Sequence, residues 1–301
     1  MKHYILFGFL LAALNVSGQT KKTYIYAIKG LDTLRMDVYT PDVINPADSL
    51  GLPVLLWMHG GGFVSGYRDF PSEVKLAQYA AQNGYLGISI SYRLTRKDTK
   101  TGFSCECPKE EKRQTFKMAA KDYLDAARYV IKNSQYLKAD VTKIIAGGSS
   151  AGAEAILNAV FMKEFFMEDA KQYRDVKFAG VFSLAGAMIN ANFITEKNAL
   201  PMVLFHGTHD NLVPFNSGAH HRCKPSKPGY LILDGSAIIT KKLKKLNMSY
   251  YFYAVKGAGH EVSLIPFNQL DSVFEFFRRT VIQKELVQTK IVKEEFLNNK
   301  Y

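Results

Sequence analysis

Long apolar runs, cysteine and tryptophan are all scarce in this chain of 301 residues, which has three cysteines and one tryptophan. The longest apolar stretch near the start, Ile5 to Leu14, is too short to cross a hydrocarbon layer of about 30 Å as a helix. Stable membrane insertion is therefore not expected. No Pro/Ser/Gly-rich stretch and no internal repeat appears, and aromatics make up 13% of the residues, which excludes a disordered or solenoid chain. Standard zinc spacings are missing too. His206, His209 and Asp210 lie close together but match none of them, and no metal or cofactor is expected. The glycine run at Gly60–Gly62 lacks both the lysine of a P-loop and the spacing of a dinucleotide fingerprint.

The net charge of +12 is spread along the chain rather than gathered into a nucleic-acid-binding stripe. Its densest cluster, Lys241 to Leu246, has leucines three residues apart. That spacing suits a packed helix with solvated lysines better than a surface for acidic polysaccharide or membrane.

Residues 1–18 have the layout of a removable export signal: Lys2, the apolar Ile5–Leu14, then Val16-Ser17-Gly18. Cleavage there gives a mature chain from Gln19 and a periplasmic or extracellular location. In an oxidising compartment an odd number of cysteines leaves one thiol over. Cys223 is expected to pair with Cys105 or with Cys107, tying together two polar insertions, 93–113 and 216–234.

Strands alternate with helices along the rest of the chain. Strands are expected at Tyr24–Ile28, Leu34–Tyr39, Val54–Met58, Leu86–Tyr92, Val141–Ala146, Phe178–Leu184, Met202–Phe205 and Tyr250–Val255. Helices are expected at Ser72–Gln82, Gln114–Asn133, Ala151–Phe166, Ser236–Leu246 and Asn268–Gln283. In the helix from Gln114, Ala119, Tyr123, Ala126, Ala127 and Val130 form one stripe. Continuously apolar strands of this kind belong to a mostly parallel sheet covered on both faces. Residues 19–301 thus read as a single α/β domain, with 284–301 either prolonging the last helix or fraying.

Four segments that carry chemistry follow four of these strands. Gly148-Ser149-Ser150-Ala151-Gly152 joins a strand to a helix, the setting in which a sharp turn exposes the central serine hydroxyl. A hydroxyl is a poor nucleophile at neutral pH and needs an adjacent base and an orienting acid. His260, in Gly257-Ala258-Gly259-His260, is the expected base, and Asp210 the expected acid. Ser150 is the expected nucleophile and Ser149 its rival, which precedes the apex of the turn; the rival of Asp210 is Asp234, which stands where it caps the following helix. His59-Gly60-Gly61-Gly62-Phe63 supplies backbone N–H groups for a developing oxyanion, with Gly61, Gly62 and Ala151 as donors.

The order Ser, Asp, His and the glycine-rich loop resemble the α/β-hydrolase fold, and within it the HGGG-type carboxylesterases and lipases related to hormone-sensitive lipase. The likeness is nearest to small secreted bacterial esterases of the feruloyl- and acetylxylan-esterase type, and it runs from Tyr24 to Gln283. Many such relatives carry Asp where Ser149 stands here, and polar insertions replace the large helical cap of some lipases. The resemblance implies a Ser150–His260–Asp210 triad that cleaves small-molecule or carbohydrate-linked esters through an acyl-enzyme. Peptidase or amidase activity on the same fold, and a catalytically inactive binding module, are the alternatives. The small cap implies an open site suited to esters on a large or soluble carrier, and the loops near the site read as polar, which counts against a lipase for long acyl chains.

Overall fold

The computed structural model describes residues 20–42 and 51–294; the expected export signal lies outside them. The described part opens with the hairpin β1 (Thr20–Lys29) and β2 (Asp32–Thr40), followed by β3 (Leu52–Met58), α1 (Pro71–Gln82), β4 (Leu86–Ile90), α2 (Lys109–Lys132) and the single turn α3 (Ser134–Leu137). Next come β5 (Ala139–Ser149), α4 (Ala151–Phe166), β6 (Gly180–Leu184), β7 (Ala187–Met188), β8 (Met202–Gly207), β9 (Ser217–Ala219) and β10 (Ile232–Gly235). The last elements are α5 (Ser236–Lys245), β11 (Tyr250–Lys256), α6 (Leu270–Phe277) and β12 (Gln288–Glu294).

Among the described residues, nine strands form one sheet in the order β1-β2-β4-β3-β5-β6-β8-β11-β12. Only the β1–β2 and β2–β4 pairings are antiparallel; all others are parallel. Alternation along β3 explains the layering. Leu56 and Met58 face a core shared with α2, α4 and α5, while Leu55 and Trp57 face one shared with α1 and α6. Both faces are buried, which is why the strand reads as an unbroken apolar run. This is the α/β-hydrolase fold. The strand order turns back around β3, so the carboxyl ends of β3, β5, β8 and β11 open onto one crevice, where ligands bind in open α/β sheets.

Four expectations need correction. Helix α2 begins at Lys109 rather than Gln114, taking in residues assigned to a polar insertion; Lys112 is fully buried there. The segment 216–234 is not simply a polar loop, because β9 and β10 join β7 in a second, three-stranded sheet. The last helix stops at Phe277 and gives way to a π-helical turn, Arg278–Ile282. The tail neither prolongs that helix nor frays over its described part: β12 pairs in parallel with β11, and Val287 and Ile291 pack on the second core. Half-buried Thr289 and Ile291 with the exposed Lys290 between them, followed by Lys293 and Glu294, suit an edge strand, where charge discourages further pairing. The lysines of α5 are exposed or half-buried around a buried Leu243, as the leucine spacing implied.

Cys223 is bonded to Cys105, with Cα atoms 5.4 Å apart, and Cys107 is a buried free thiol. The bridge joins the run of turns after β4 to the turn after β9. Neither segment builds a helical cap over the crevice.

Candidate active site

Strand β5 delivers Ser150 to the crevice in a strained positive-φ conformation (φ 51°, ψ −121°) that only a constrained turn holds. The Ser150 N–H donates to Leu184 O at 2.8 Å, and Ser150 O accepts the first helical bond, from Glu154 N–H. Gly152 is required by the close approach of α4 to β3, since a Cβ there would stand 2.2 Å from Met58 O. Ser149, the rival nucleophile, points elsewhere: its hydroxyl donates to Ser263 O at 2.8 Å and ties the turn to the loop beyond His260.

Ser150 Oγ lies 2.7 Å from His260 Nε2, and His260 Nδ1 lies 2.7 Å from Asp210 Oδ2. The structure thus brings together the serine, histidine and aspartate singled out in the sequence. Asp210 is almost fully buried, and its Oδ1 accepts from the N–H groups of Leu212 and Val213, each at 2.9 Å. Burial works against its ionisation, but hydrogen bonding from His206 and His260, together with their charges, outweighs burial and holds the carboxyl well below the usual range. Asp234 plays no part there. Its Oδ2 accepts from Ala191 N–H at 2.8 Å, and it does not cap α5.

His206 was visible in the sequence only as a neighbour of the acid. At the end of β8 it is fully buried, with Nε2 3.4 Å from Asp210 Oδ2 and 3.1 Å from Val213 O, and Nδ1 2.8 Å from Ser236 Oγ. It braces the acid from behind. His209 is exposed and directed to Thr208, so it does not join His206 and Asp210 in a ligand set.

The glycine run after β3 forms a tight loop. Gly61 adopts φ +108°, and a Cβ on it would meet Ser65 O at 2.2 Å. Its carbonyl accepts from the N–H groups of Val64 and Ser65, both at 3.1 Å, and the Tyr92 hydroxyl holds the carbonyls of His59 and Gly60 at 3.1 and 3.2 Å. With the carbonyls engaged inside the protein, the loop is fixed beside Ser150. Ala151 is the first residue of α4, where backbone N–H groups have no intrahelical acceptor. His59 packs against Tyr92 with ring centroids 4.5 Å apart, and burial lowers its pKa to about 4, so it supports the loop as a neutral ring.

A cavity of about 800 Å³ surrounds Ser150 and His260. Its walls correct the expectation of polar loops. Tyr67, Phe70, Leu212 and Leu264 are large apolar residues exposed at the site, Leu264 by 72%, with Phe103 and Phe267 beside them. The residues come from four separate segments, of which only Leu264-Ile265-Pro266-Phe267 is strongly apolar by itself. Two buried carboxyls interrupt this lining, and burial raises both: Glu73 to about 7 and Glu154 to about 8.

Similarity to known proteins agrees with this architecture. Over 125 residues the chain is 30% identical to Esterase B1 of Culex pipiens and 29% identical to phenmedipham hydrolase of Pseudarthrobacter oxydans. Each match covers 42% of this chain, and 21% and 22% of the relative, respectively. The matched part is about a fifth of the length of these curated relatives. Among solved structures, esterase 2 of Thermogutta terrifontis superposes with a TM-score of 0.63 at 19% identity, covering 86% of this chain and 94% of that one, a likeness of fold. Residues 36–187, half of the chain and the part that contains the glycine loop and the Ser150 turn, match BD-FAE, and the chain belongs to the BD-FAE family.

Proposed function

We propose that this protein is a serine hydrolase of carboxylic esters. The observation that carries the proposal is the continuous hydrogen-bonded line from Ser150 Oγ through His260 to Asp210, with 2.7 Å at each step. Ser150 Oγ attacks the ester carbonyl carbon as His260 Nε2 takes its proton, giving a tetrahedral oxyanion. The N–H groups of Gly61, Gly62 and Ala151 receive that charge. The C–O bond to the alcohol then breaks, and His260 returns the proton to the leaving oxygen. Water, deprotonated by His260, attacks the Ser150 ester and releases the carboxylic acid and the free serine. Asp210 keeps the imidazole in the tautomer this exchange needs and stabilises its cation. The reaction draws on no cofactor or metal.

The apolar walls suit esters with a compact hydrocarbon portion, while the absence of a helical cap over the crevice among the described residues leaves access for a carbohydrate-linked substrate. Export fits the export-like residues 1–18 and the Cys105–Cys223 bridge, since such bonds persist in oxidising compartments.

The test is hydrolysis of p-nitrophenyl acetate, butyrate and a long-chain ester by the purified protein and by Ser150→Ala. Turnover of the short esters that falls by about 10⁴-fold or more in the variant is expected. Turnover that survives the substitution refutes Ser150 as nucleophile. Inertness toward every ester, with cleavage of aminoacyl arylamides, moves the chain to the peptidases, and inertness toward both leaves a binding module.

A further inference from the structure

Behind Ser150 lies a polar cluster that the proposed ester chemistry leaves unused. Glu154 sits one helical turn beyond Ser150 on α4, is 2% exposed and forms part of the cavity wall. Its Oε1 lies 3.3 Å from His220 Nε2, yet the two lack hydrogen-bond alignment and neither atom has a hydrogen-bond partner. On the far side of the ring, His220 Nδ1 lies 3.3 Å from Lys112 Nζ, which also donates to Gly229 O at 3.0 Å. Lys112 and His220 are both fully buried, and Phe103 and Phe116 pack edge-on to the His220 ring.

The order of donors follows from these contacts. Lys112 has only protons to give, so His220 Nδ1 accepts and the ring proton sits on Nε2, facing Glu154. Burial first, and the Lys112 charge second, keep the ring neutral. Burial likewise keeps Glu154 largely protonated near neutral pH, although His260 and Lys112 oppose this. The wall therefore offers a carboxyl group with an open hydrogen-bonding valence inside an apolar cavity. Buried polar groups without partners are rare in folded proteins, and those at a ligand cavity are completed by the ligand.

We infer that Glu154, backed by His220 and Lys112, is a specificity-determining residue that receives a hydroxyl group of the ester substrate. The inference rests on the ester reading above and deepens it. Four residues of α4 rise by about 6 Å, which puts the hydroxyl a few bonds from the reacting carbonyl. It belongs either to a hydroxylated acyl group or to the alcohol portion. A site built around such a contact discriminates against the analogue lacking the hydroxyl, because the wall is then left unpaired.

Two matched pairs separate the sources: p-nitrophenyl 3-hydroxybutyrate against p-nitrophenyl butyrate, and 2-hydroxyethyl butyrate against propyl butyrate. In one pair the protein is expected to favour the hydroxylated ester in kcat/KM by about tenfold or more, equivalent to about 1.4 kcal/mol. Glu154→Met, similar in volume and apolar, brings that ratio to about one, chiefly through KM; Glu154→Gln, which still donates and accepts, keeps most of it. A ratio near one for both pairs in the unaltered protein overturns the inference without any variant. A preference that persists in Glu154→Met also overturns it. Each of these leaves the ester reading standing, whereas failure to cleave any of the four esters removes both.

Discussion

Cutting the Cys105–Cys223 bond should lower thermal stability far more than it lowers catalysis. The bond closes a loop over a sequence separation of 118 residues. In the chain-entropy description a loop of that size removes about 5 kcal/mol of freedom from the unfolded chain. That is a large share of the roughly 5–15 kcal/mol by which folded proteins exceed their unfolded states. For a chain of 301 residues the unfolding entropy is about 0.6 kcal/mol per kelvin, so the midpoint should fall by about 8 °C.

Most of this effect acts on the unfolded state, because other contacts still hold the two segments in the folded one. Gly229 N–H donates to Cys105 O at 2.9 Å, Lys109 N–H donates to Pro228 O at 2.8 Å, and Lys227 pairs with Glu106. Calorimetry of the oxidised protein, the protein in a phosphine reductant and Cys105→Ser reads the shift directly. Thiol titration in denaturant should find one group before reduction and three after. Activity at 25 °C should stay within a few-fold. A midpoint that moves by less than about 2 °C, with three thiols titrated, refutes the loop-entropy argument. Three thiols before reduction refute the bond itself.

Two further outcomes follow from the packing around the site. Gly152→Ala should give little soluble protein, because its Cβ would lie 2.2 Å from the Met58 carbonyl and 2.6 Å from that of His59; expression and circular dichroism at the level of the unaltered protein would contradict this close approach. Glu73→Gln should remove a pH dependence of stability: Glu73 is held by Trp57 Nε1 and Ser72, and burial raises its carboxyl to about 7 from an unfolded value of about 4.3. A raised carboxyl stabilises the fold fully below the unfolded pKa and loses that contribution as pH rises through the folded one. The unaltered protein should therefore lose about 2 kcal/mol more than the variant between about pH 5 and pH 8, measured by denaturant unfolding. Parallel pH profiles for the two proteins would show that Glu73 is not the group responsible.

The parts of this molecule that were legible in its sequence share one property: their structural reason is local. Ser150 follows an apolar strand and precedes a helix, and the glycines beside it report a close approach whatever the rest of the chain does. His260 and Asp210 likewise sit just beyond strand ends, and a parallel sheet sends all such ends to one side. What was not legible depends on distant segments meeting. Lys112 and His220, 108 residues apart, each read as polar surface, and only the docking of α2 against the turn after β9 buries both. Tyr67 and Phe70 share one loop, and Leu212 and Leu264 come from two others, so no single run in the sequence announced the wall they form together. The charged tail concealed a strand because its alternation is short and five of its seven residues face water. The two kinds of residue also divide the chemistry. In the proposed reaction, the groups that exchange protons with the ester stand at strand ends, where sequence order is enough to find them. Groups that choose the ester stand on walls assembled from several loops, which is why Glu154, one turn from Ser150 in sequence, acquired a meaning only once His220 was seen behind it.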